Sequence, residues 1–166
     1  MRSRELLANW LLCAVADTFT ADHRFAFSSD PLGGDGVIID ELTGETWRTE
    51  HVFAYAGPAK APPSDGDAFI LSRIVGKRDK GGRAYASGKT LVVMAEGIGV
   101  WNPTTVARQL PTPLHFEAVW VVALHRAAAD GYQYDVARLD ITHGVAPVWR
   151  VRIAPDFDTW RVEAVA

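Results

Sequence analysis

The sequence predicts a mixed α/β (α+β) domain of three layers, α-β-α, in which helices cover both faces of a central mixed sheet. The predicted elements run in the order helix, three strands, helix, strand, helix, followed by a β-rich C-terminal segment. A sheet with two apolar faces needs a cover on each face, and helices before and after the strands can provide it. The length of 166 residues suits a single domain over residues 1–166.

The composition is that of an ordinary globular protein. Apolar residues make up 48% of the chain and charged residues 22%. No apolar run reaches the roughly 18 residues of a membrane span, so we expect no membrane association. The single cysteine, Cys13, has no internal partner for a disulfide, which favours the reducing cytoplasm. The net charge of −3 gives no overall attraction to nucleic acid.

The first element is an apolar segment at the N-terminus. Its apolar pattern predicts a buried helix of about 14 residues, which includes residues 6–16. A signal peptide is the alternative, because two arginines precede the segment and its Ala-Val-Ala end is typical of a cleavage site. Glu5 and Asn9 favour the helix, since an acidic flank and a polar interruption are unusual in a signal peptide.

Residues 34–55 predict a β-hairpin, which follows a short strand over residues 23–28. The first strand of the hairpin contains the β-branched residues 37–39, and Thr43-Gly44 supply its turn. The second strand is Thr46–Tyr55, which is rich in aromatic and β-branched residues.

The pairing of the two hairpin strands predicts a cluster of carboxylates. A loop of two or four residues places Val37 opposite Glu50. Alternate side chains share a face, so Asp35 and Glu50 become diagonal neighbours at the open end of the hairpin, where they could hold one hard cation. Asp40 and His51 lie on the other face, and we expect His51 to pack or hydrogen-bond there.

A second helix is predicted through about Lys80, where Gly81-Gly82 end it. Three short polar residues are candidates for its N-cap, namely Ser64, Asp65 and Asp67. Residues 73–89 hold six basic residues and one acid, a local charge of +5 against −8 for the rest of the chain. The basic residues that we expect to bind nucleic-acid phosphates are Arg73, Lys77, Arg78 and Lys80.

The remaining chain is predicted to be mostly strand. Thr90–Ala95 is a continuous apolar run, typical of a central strand covered on both faces. Asn102-Pro103 then begins a short helix. Further strands are predicted over residues 116–124, 132–139 and 148–153, with a hairpin turn at Asp130-Gly131. A short tail over residues 156–162, anchored by Phe157 and Trp160, follows them.

These elements resemble the core of the PD-(D/E)XK nuclease superfamily, the restriction-endonuclease-like fold. The matching features are Asp35 at the head of one strand, Glu50 on the next, and a helix motif over residues 74–82 followed by the strand TLVVMA. The resemblance covers about residues 1–96 and leaves a C-terminal β extension over about residues 97–166. It implies a Mg²⁺- or Mn²⁺-dependent hydrolase that cleaves phosphodiester bonds in DNA, with Asp35 and Glu50 as metal ligands.

One position departs from the superfamily pattern, which has a lysine two residues after the acid, on the same strand face. That position is Val52 in this chain. Some members of the superfamily supply the lysine from the neighbouring helix, and Lys77 is the replacement that we expect, with Lys80 and Lys60 as further candidates. Lys77 would orient the attacking water or neutralise the phosphate, without contacting the ion. Without a lysine in reach, the chain would be a degenerate, non-catalytic member.

Two classes of function therefore follow from the sequence. The first is a metal-dependent nuclease with Asp35, Glu50 and Lys77 as catalytic residues, to which Glu96 at the end of the central strand could add a third carboxylate. The second is a non-catalytic module that keeps the fold and binds a protein partner, or a second copy of itself, through the C-terminal strands. In that case Asp35 occupies a turn, Glu50 is a solvated strand residue, and the basic residues form a solvated helix face.

Overall fold

The computed structural model describes residues 3–20, 22–55, 57, 63 and 65–165. Within these residues the chain is a mixed α+β structure, in which three helices accompany one curled mixed sheet of eight strands. In chain order the elements are α1 (Ser3–Asp17), β1 (Phe25–Ser28), β2 (Gly36–Asp40), β3 (Thr46–Tyr55), α2 (Gly66–Ala86), β4 (Lys89–Glu96), α3 (Pro103–Arg108), β5 (Ala118–Ala128), β6 (Gly131–Leu139), β7 (Val148–Ile153) and β8 (Trp160–Val165). None of the helices in this described part of the chain has the length and apolar character needed to cross a lipid bilayer.

The strands lie in the sheet in the same order as in the chain, from β1 to β8. The three central strands β3, β4 and β5 are parallel, and every other neighbouring pair is antiparallel. The prediction of a central strand over Thr90–Ala95 is confirmed, because β4 lies between β3 and β5 and its residues Leu91, Val92 and Val93 are fully buried. A run without polar alternation is what a strand covered on both faces requires.

Each face of the sheet has its own apolar core. Helix α1 contributes Leu11 and Val15 to one core, where they pack with Val92 of β4. Helix α2 contributes Ile70 and Ile74 to the other core. Successive strand side chains point to opposite faces, so Leu91 and Val93 on either side of Val92 belong to the α2 core. The predicted N-terminal helix is thus confirmed as a packed element, since α1 contains residues 6–16.

The hairpin of β2 and β3 has a different register from the predicted one. Val37 pairs with Arg48 and not with Glu50, because the turn spans residues 41–45 and Gly44 takes the left-handed conformation that glycine favours, with φ of 73°. The error is two residues, and an even shift leaves every side chain on its predicted face. Gly36 pairs with Thr49. Asp35, which precedes Gly36, therefore lies beside Glu50.

Helix α2 begins as predicted and ends later than predicted. Asp65 is its N-cap and accepts a hydrogen bond from the backbone N–H of Ala68, whereas the candidate Ser64 lies outside the described residues. Gly82 interrupts the helix with φ of 60° and ψ of −161°, which only glycine adopts readily. The chain then makes one more helical turn through Ala86, so the glycine pair kinks the helix and does not end it.

The C-terminal part of the chain supplies the strands β5 to β8. β5 is parallel to β4, and the three later pairs are antiparallel. The predicted hairpin at Asp130-Gly131 is confirmed between β5 and β6. The predicted tail is wrong, because the chain after residue 159 forms the regular strand β8 on β7. The two expected anchors do make aromatic contacts: Phe157 lies 5.0 Å from Tyr132 and Trp160 lies 5.2 Å from Trp10, between ring centroids.

Candidate active site

The two predicted acids meet on the α2 side of the sheet. Glu50 lies in the middle of β3 with only 4% of its surface exposed, so the alternative of a solvated strand residue is wrong. Asp35 lies immediately before β2, and its Oδ2 accepts a hydrogen bond of 2.7 Å from the backbone N–H of His51. This bond attaches Asp35 to the strand that carries Glu50.

Lys77 reaches both acids from helix α2. Its ammonium lies 3.3 Å from Glu50 Oε2 and 3.8 Å from Asp35 Oδ2, and donates a hydrogen bond of 2.9 Å to the backbone carbonyl of His51. Burial alone would lower the pKa of Lys77, but hydrogen bonding with Tyr85 and the charges of Glu50 and Asp35 outweigh burial and raise this pKa. The lysine expected from the neighbouring helix therefore lies beside both predicted acids.

The contacts of Lys77 go beyond the role that the sequence predicts. The sequence assigns Lys77 to the attacking water or to the phosphate, and in the structure its ammonium contacts the two carboxylates expected to hold the metal ion. Its side chain is 17% exposed, so the ammonium is largely removed from water.

Two further residues hold Glu50, and the sequence reasoning did not assign them to the site. Lys89, the first residue of β4, donates a hydrogen bond of 2.6 Å to Glu50 Oε1, and the Tyr85 hydroxyl donates to Glu50 Oε2. The Lys89 ammonium also lies 4.2 Å from the centre of the Tyr85 ring, and the Lys77 ammonium lies 5.5 Å from it. Glu50 thus accepts two hydrogen bonds, one on each oxygen, and forms an ion pair with Lys77 in addition.

The two hydrogen-bond donors and the Lys77 charge keep Glu50 ionised. Burial alone would raise the pKa of this carboxyl, but the hydrogen bonds from Lys89 and Tyr85 and the charge of Lys77 lower the pKa below its ordinary value. Burial and the hydrogen bond to Glu50 raise the pKa of Tyr85. At neutral pH Glu50 is therefore ionised, the Tyr85 phenol is neutral and Lys77 carries its positive charge.

The backbone of His51 contacts Asp35 and Lys77. Its side chain lies on the opposite face of β3, as predicted. The imidazole Nε2 lies 3.1 Å from Asn9 Oδ1 on α1 and 3.3 Å from Thr49 Oγ1. Burial lowers the pKa of His51, which outweighs the raising effect of Asp35 and other nearby acids. Gly36 allows this approach, since a Cβ there would lie 2.4 Å from Asn9 Nδ2. The expected hydrogen-bonding role of His51 is confirmed.

Glu96 does not belong to this site, so the expectation of a third carboxylate there is wrong. In the parallel register Glu50 pairs with Leu91, five residues before Glu96, which corresponds to roughly 16 Å along the strand. Glu96 also shares the face of Val92, on the α1 side, where it forms an ion pair with Arg4 at 3.9 Å. The alternation of strand side chains removes it from the face of Glu50.

In the part of the chain that the structure describes, none of the other basic residues of α2 expected to bind nucleic acid forms an ion pair with Asp35 or Glu50. The Arg73 guanidinium stacks over the Phe69 ring at 4.8 Å, and Arg78 donates to Asp79 at 2.6 Å. Lys80 is exposed to solvent. The further candidate Lys60 lies outside the described residues. Of the four residues expected to contact nucleic acid, only Lys77 therefore points toward the carboxylates.

The groups around the Lys77 ammonium are oxygens, the atom type that hard cations bind. Within the residues that the structure describes, no group of three or more His, Cys, Asp or Glu side chains could hold a metal ion. Around the Lys77 ammonium, however, stand two carboxylate oxygens and one carbonyl oxygen, from Asp35, Glu50 and His51. Mg²⁺ commonly takes one or two carboxylates and completes its shell with water and substrate oxygens. An ion in the position of the ammonium would therefore have two carboxylate oxygens and one carbonyl oxygen from the chain.

Comparisons with known proteins found no match for this chain. No protein-family model matches the chain, and no similar protein was found among curated proteins or solved structures. The class of protein must therefore be argued from the fold and from the geometry around Glu50.

Proposed function

We propose that this chain is a metal-dependent nuclease of the PD-(D/E)XK type, with a three-layer α-β-α core, which hydrolyses phosphodiester bonds in DNA. The observation that supports the proposal is the Lys77 ammonium between the carboxylates of Asp35 and Glu50, 3.8 and 3.3 Å away. The superfamily pattern has its lysine at the position of Val52. Lys77 offers the same charged group from α2, so the departure at Val52 does not remove the chemistry.

The residues that would hold Mg²⁺ or Mn²⁺ are Asp35 and Glu50, together with the backbone carbonyl of His51. Their three oxygens already surround one positive charge, that of Lys77. A divalent ion bound there supplies a Lewis acid for the phosphate and lowers the pKa of a bound water.

The protein groups have separate tasks in this proposal. Lys89 and Tyr85 orient Glu50 and keep it ionised, since both donate hydrogen bonds to it. Lys77 has a long, flexible stem, so its ammonium can leave the carboxylates and neutralise negative charge on a phosphate. Arg73, together with its exposed neighbours on α2, would contact the DNA backbone and make binding weaken with salt.

Cleavage of a supercoiled plasmid in the presence of Mg²⁺ or Mn²⁺ tests the proposal. Asp35→Asn, Glu50→Gln and Lys77→Met should each lower the nicking rate by at least about tenfold. Glu96→Gln is the matched control, because it removes an acid from the opposite face of the same sheet and should leave nicking unchanged. Nicking by Asp35→Asn at the wild-type rate would contradict the assignment of the site.

One observation favours the second class, a non-catalytic module. Each oxygen of Glu50 accepts a hydrogen bond, from Lys89 or from Tyr85, and Lys77 adds an ion pair. A fully satisfied buried network of this kind also stabilises a fold. In this case the wild-type chain neither nicks DNA nor binds Mn²⁺ at millimolar concentration, whereas Glu50→Gln still lowers the stability.

For either class the reducing cytoplasm is the proposed location, because the only thiol, Cys13, is buried and unpaired by a disulfide.

A further inference from the structure

The strand β8 is an unprotected edge of the sheet. It pairs with β7 on one side and is the last strand in the sheet order. Most of its residues are exposed, including Arg161, Glu163 and Ala164. An edge of this kind offers a row of backbone donors and acceptors to another strand.

The peptide groups that point away from β7 can be identified from one hydrogen bond. The Ala154 N–H donates to the Thr159 carbonyl at 2.9 Å, so Thr159 turns its backbone groups toward β7. In an antiparallel strand the direction alternates with each residue. Trp160, Val162 and Ala164 therefore point their N–H and C=O groups outward, where no strand of the described chain pairs with them.

The charges on β8 are unbalanced within one chain. Arg161 lies directly opposite Arg152 of β7, and like charges in this position repel. Arg152 has an ion pair with Glu163, with N–O distances of 2.7 and 3.0 Å. Among the described residues Arg161 forms no ion pair with an N–O distance within 4.0 Å. A carboxylate beyond the edge of the sheet would offset this repulsion.

We propose that β8 pairs antiparallel with β8 of a second copy of the chain, about a two-fold axis at Val162. In this register Arg161 lies opposite Glu163 of the partner subunit, and the symmetry produces the same pair twice. Trp160, which is 42% exposed, lies opposite Ala164 of the partner subunit, a small residue beside a large one. The outward peptide groups of the two strands meet in hydrogen-bonded pairs.

Charge selects this register among the symmetric alternatives. An axis at Arg161 would set two arginines opposite each other, and an axis at Glu163 would set two glutamates opposite each other. Only the axis at Val162, in the middle of the strand, joins opposite charges while five residues of each chain are paired. The proposal is independent of any nuclease activity, because β8 contributes no residue to the site around Glu50.

Sedimentation velocity on two charge variants tests the proposal. Arg161→Glu alone creates two Glu–Glu pairs, and Glu163→Arg alone creates two Arg–Arg pairs, so each variant should dimerise at least about tenfold more weakly than wild type. An equimolar mixture of the two variants should form a heterodimer, since every pair across the axis then joins opposite charges. Two variants that dimerise like wild type, or a mixture that stays monomeric beside a dimeric wild type, would overturn the register.

Val162 provides a second test that leaves the charges unchanged. Val162→Pro removes an outward N–H that no described strand uses, and proline is tolerated on sheet edges. It should abolish the dimer, whereas Val162→Thr keeps the N–H and a similar shape and should retain it. Wild-type chain that sediments as a monomer at about 1 mM, where even weak association is detectable, would refute the proposed edge.

Discussion

Removal of the Lys77 ammonium should make the site bind a divalent cation more tightly. The ammonium lies 3.3 Å from Glu50 Oε2 and 3.8 Å from Asp35 Oδ2, within the space that the cation would occupy. At an effective dielectric constant of about 20, these distances correspond to attractions of about 5 and about 4 kcal/mol. A cation that enters must displace the ammonium from both carboxylates, so the lysine competes with it.

Most of this attraction is recovered as water solvates the released ammonium, so the net effect is much smaller than the sum. A residual of only about 1.4 kcal/mol corresponds to a factor of ten in affinity. We therefore expect Mn²⁺ to bind Lys77→Met at least about tenfold more tightly than wild type. The same substitution should lower the nicking rate by at least about tenfold, because the ammonium assigned to the phosphate is removed.

Isothermal titration calorimetry with Mn²⁺ measures the effect directly. Lys80→Met is the matched control, since Lys80 is an exposed lysine of the same helix and its removal should leave Mn²⁺ affinity unchanged. Glu50→Gln should bind Mn²⁺ more weakly than wild type, which verifies that the titrated site is the one described. An affinity of Lys77→Met equal to or below that of wild type would refute the competition between the lysine and the cation.

Three further outcomes concern stability. Val93→Ala, at a fully buried position of β4, should lower the free energy of unfolding by about 1–3 kcal/mol, and an unchanged urea midpoint would contradict its central location. Tyr85→Phe removes a hydroxyl that donates to the buried Glu50 and should lower that free energy by about 1–3 kcal/mol in the same assay. Hydrogen bonds from the backbone and side chain of His143 lower the pKa of Asp140 to about 2, so Asp140 stabilises the fold above about pH 4 and this contribution disappears as the pH falls toward 2. Urea midpoints across this range should decline less steeply for Asp140→Asn, and equal slopes would show that the native hydrogen bonds of Asp140 add nothing.

The faces of the hairpin strands were predictable from the sequence, whereas their register was not. Side chains alternate with a period of two, so Asp35 and Glu50 share a face for any even shift between the strands. The turn decides the shift itself, and residues 41–45 form a longer connection than Thr43-Gly44 indicated. Asp35 and Glu50 therefore lie on one face as predicted, although the predicted pairing of the strands is wrong by two residues.

Tyr85 and Lys89 could not be assigned to the site from local patterns. Lys89 reaches Glu50 because β3 and β4 are parallel with Arg48 opposite Lys89, and a parallel register depends on the crossover helix between the strands. Tyr85 reaches Glu50 because the chain continues as a helix beyond the kink at Gly82, where the sequence predicted an end. Both are consequences of tertiary packing that no spacing along the chain encodes.

The position of Val52 explains why the ammonium groups come from other elements. Val52 packs against the apolar core under α2, where it pairs with the fully buried Val93. An ammonium there would lose its hydration among apolar side chains, which is unfavourable without a partner. Lys77 and Lys89 instead extend long stems past this core and bring their charged ends to Glu50, which carries the compensating charge. The valine and the two lysines thus form one consistent arrangement, in which the apolar core reaches along β3 as far as Val52 and the charges begin at Glu50.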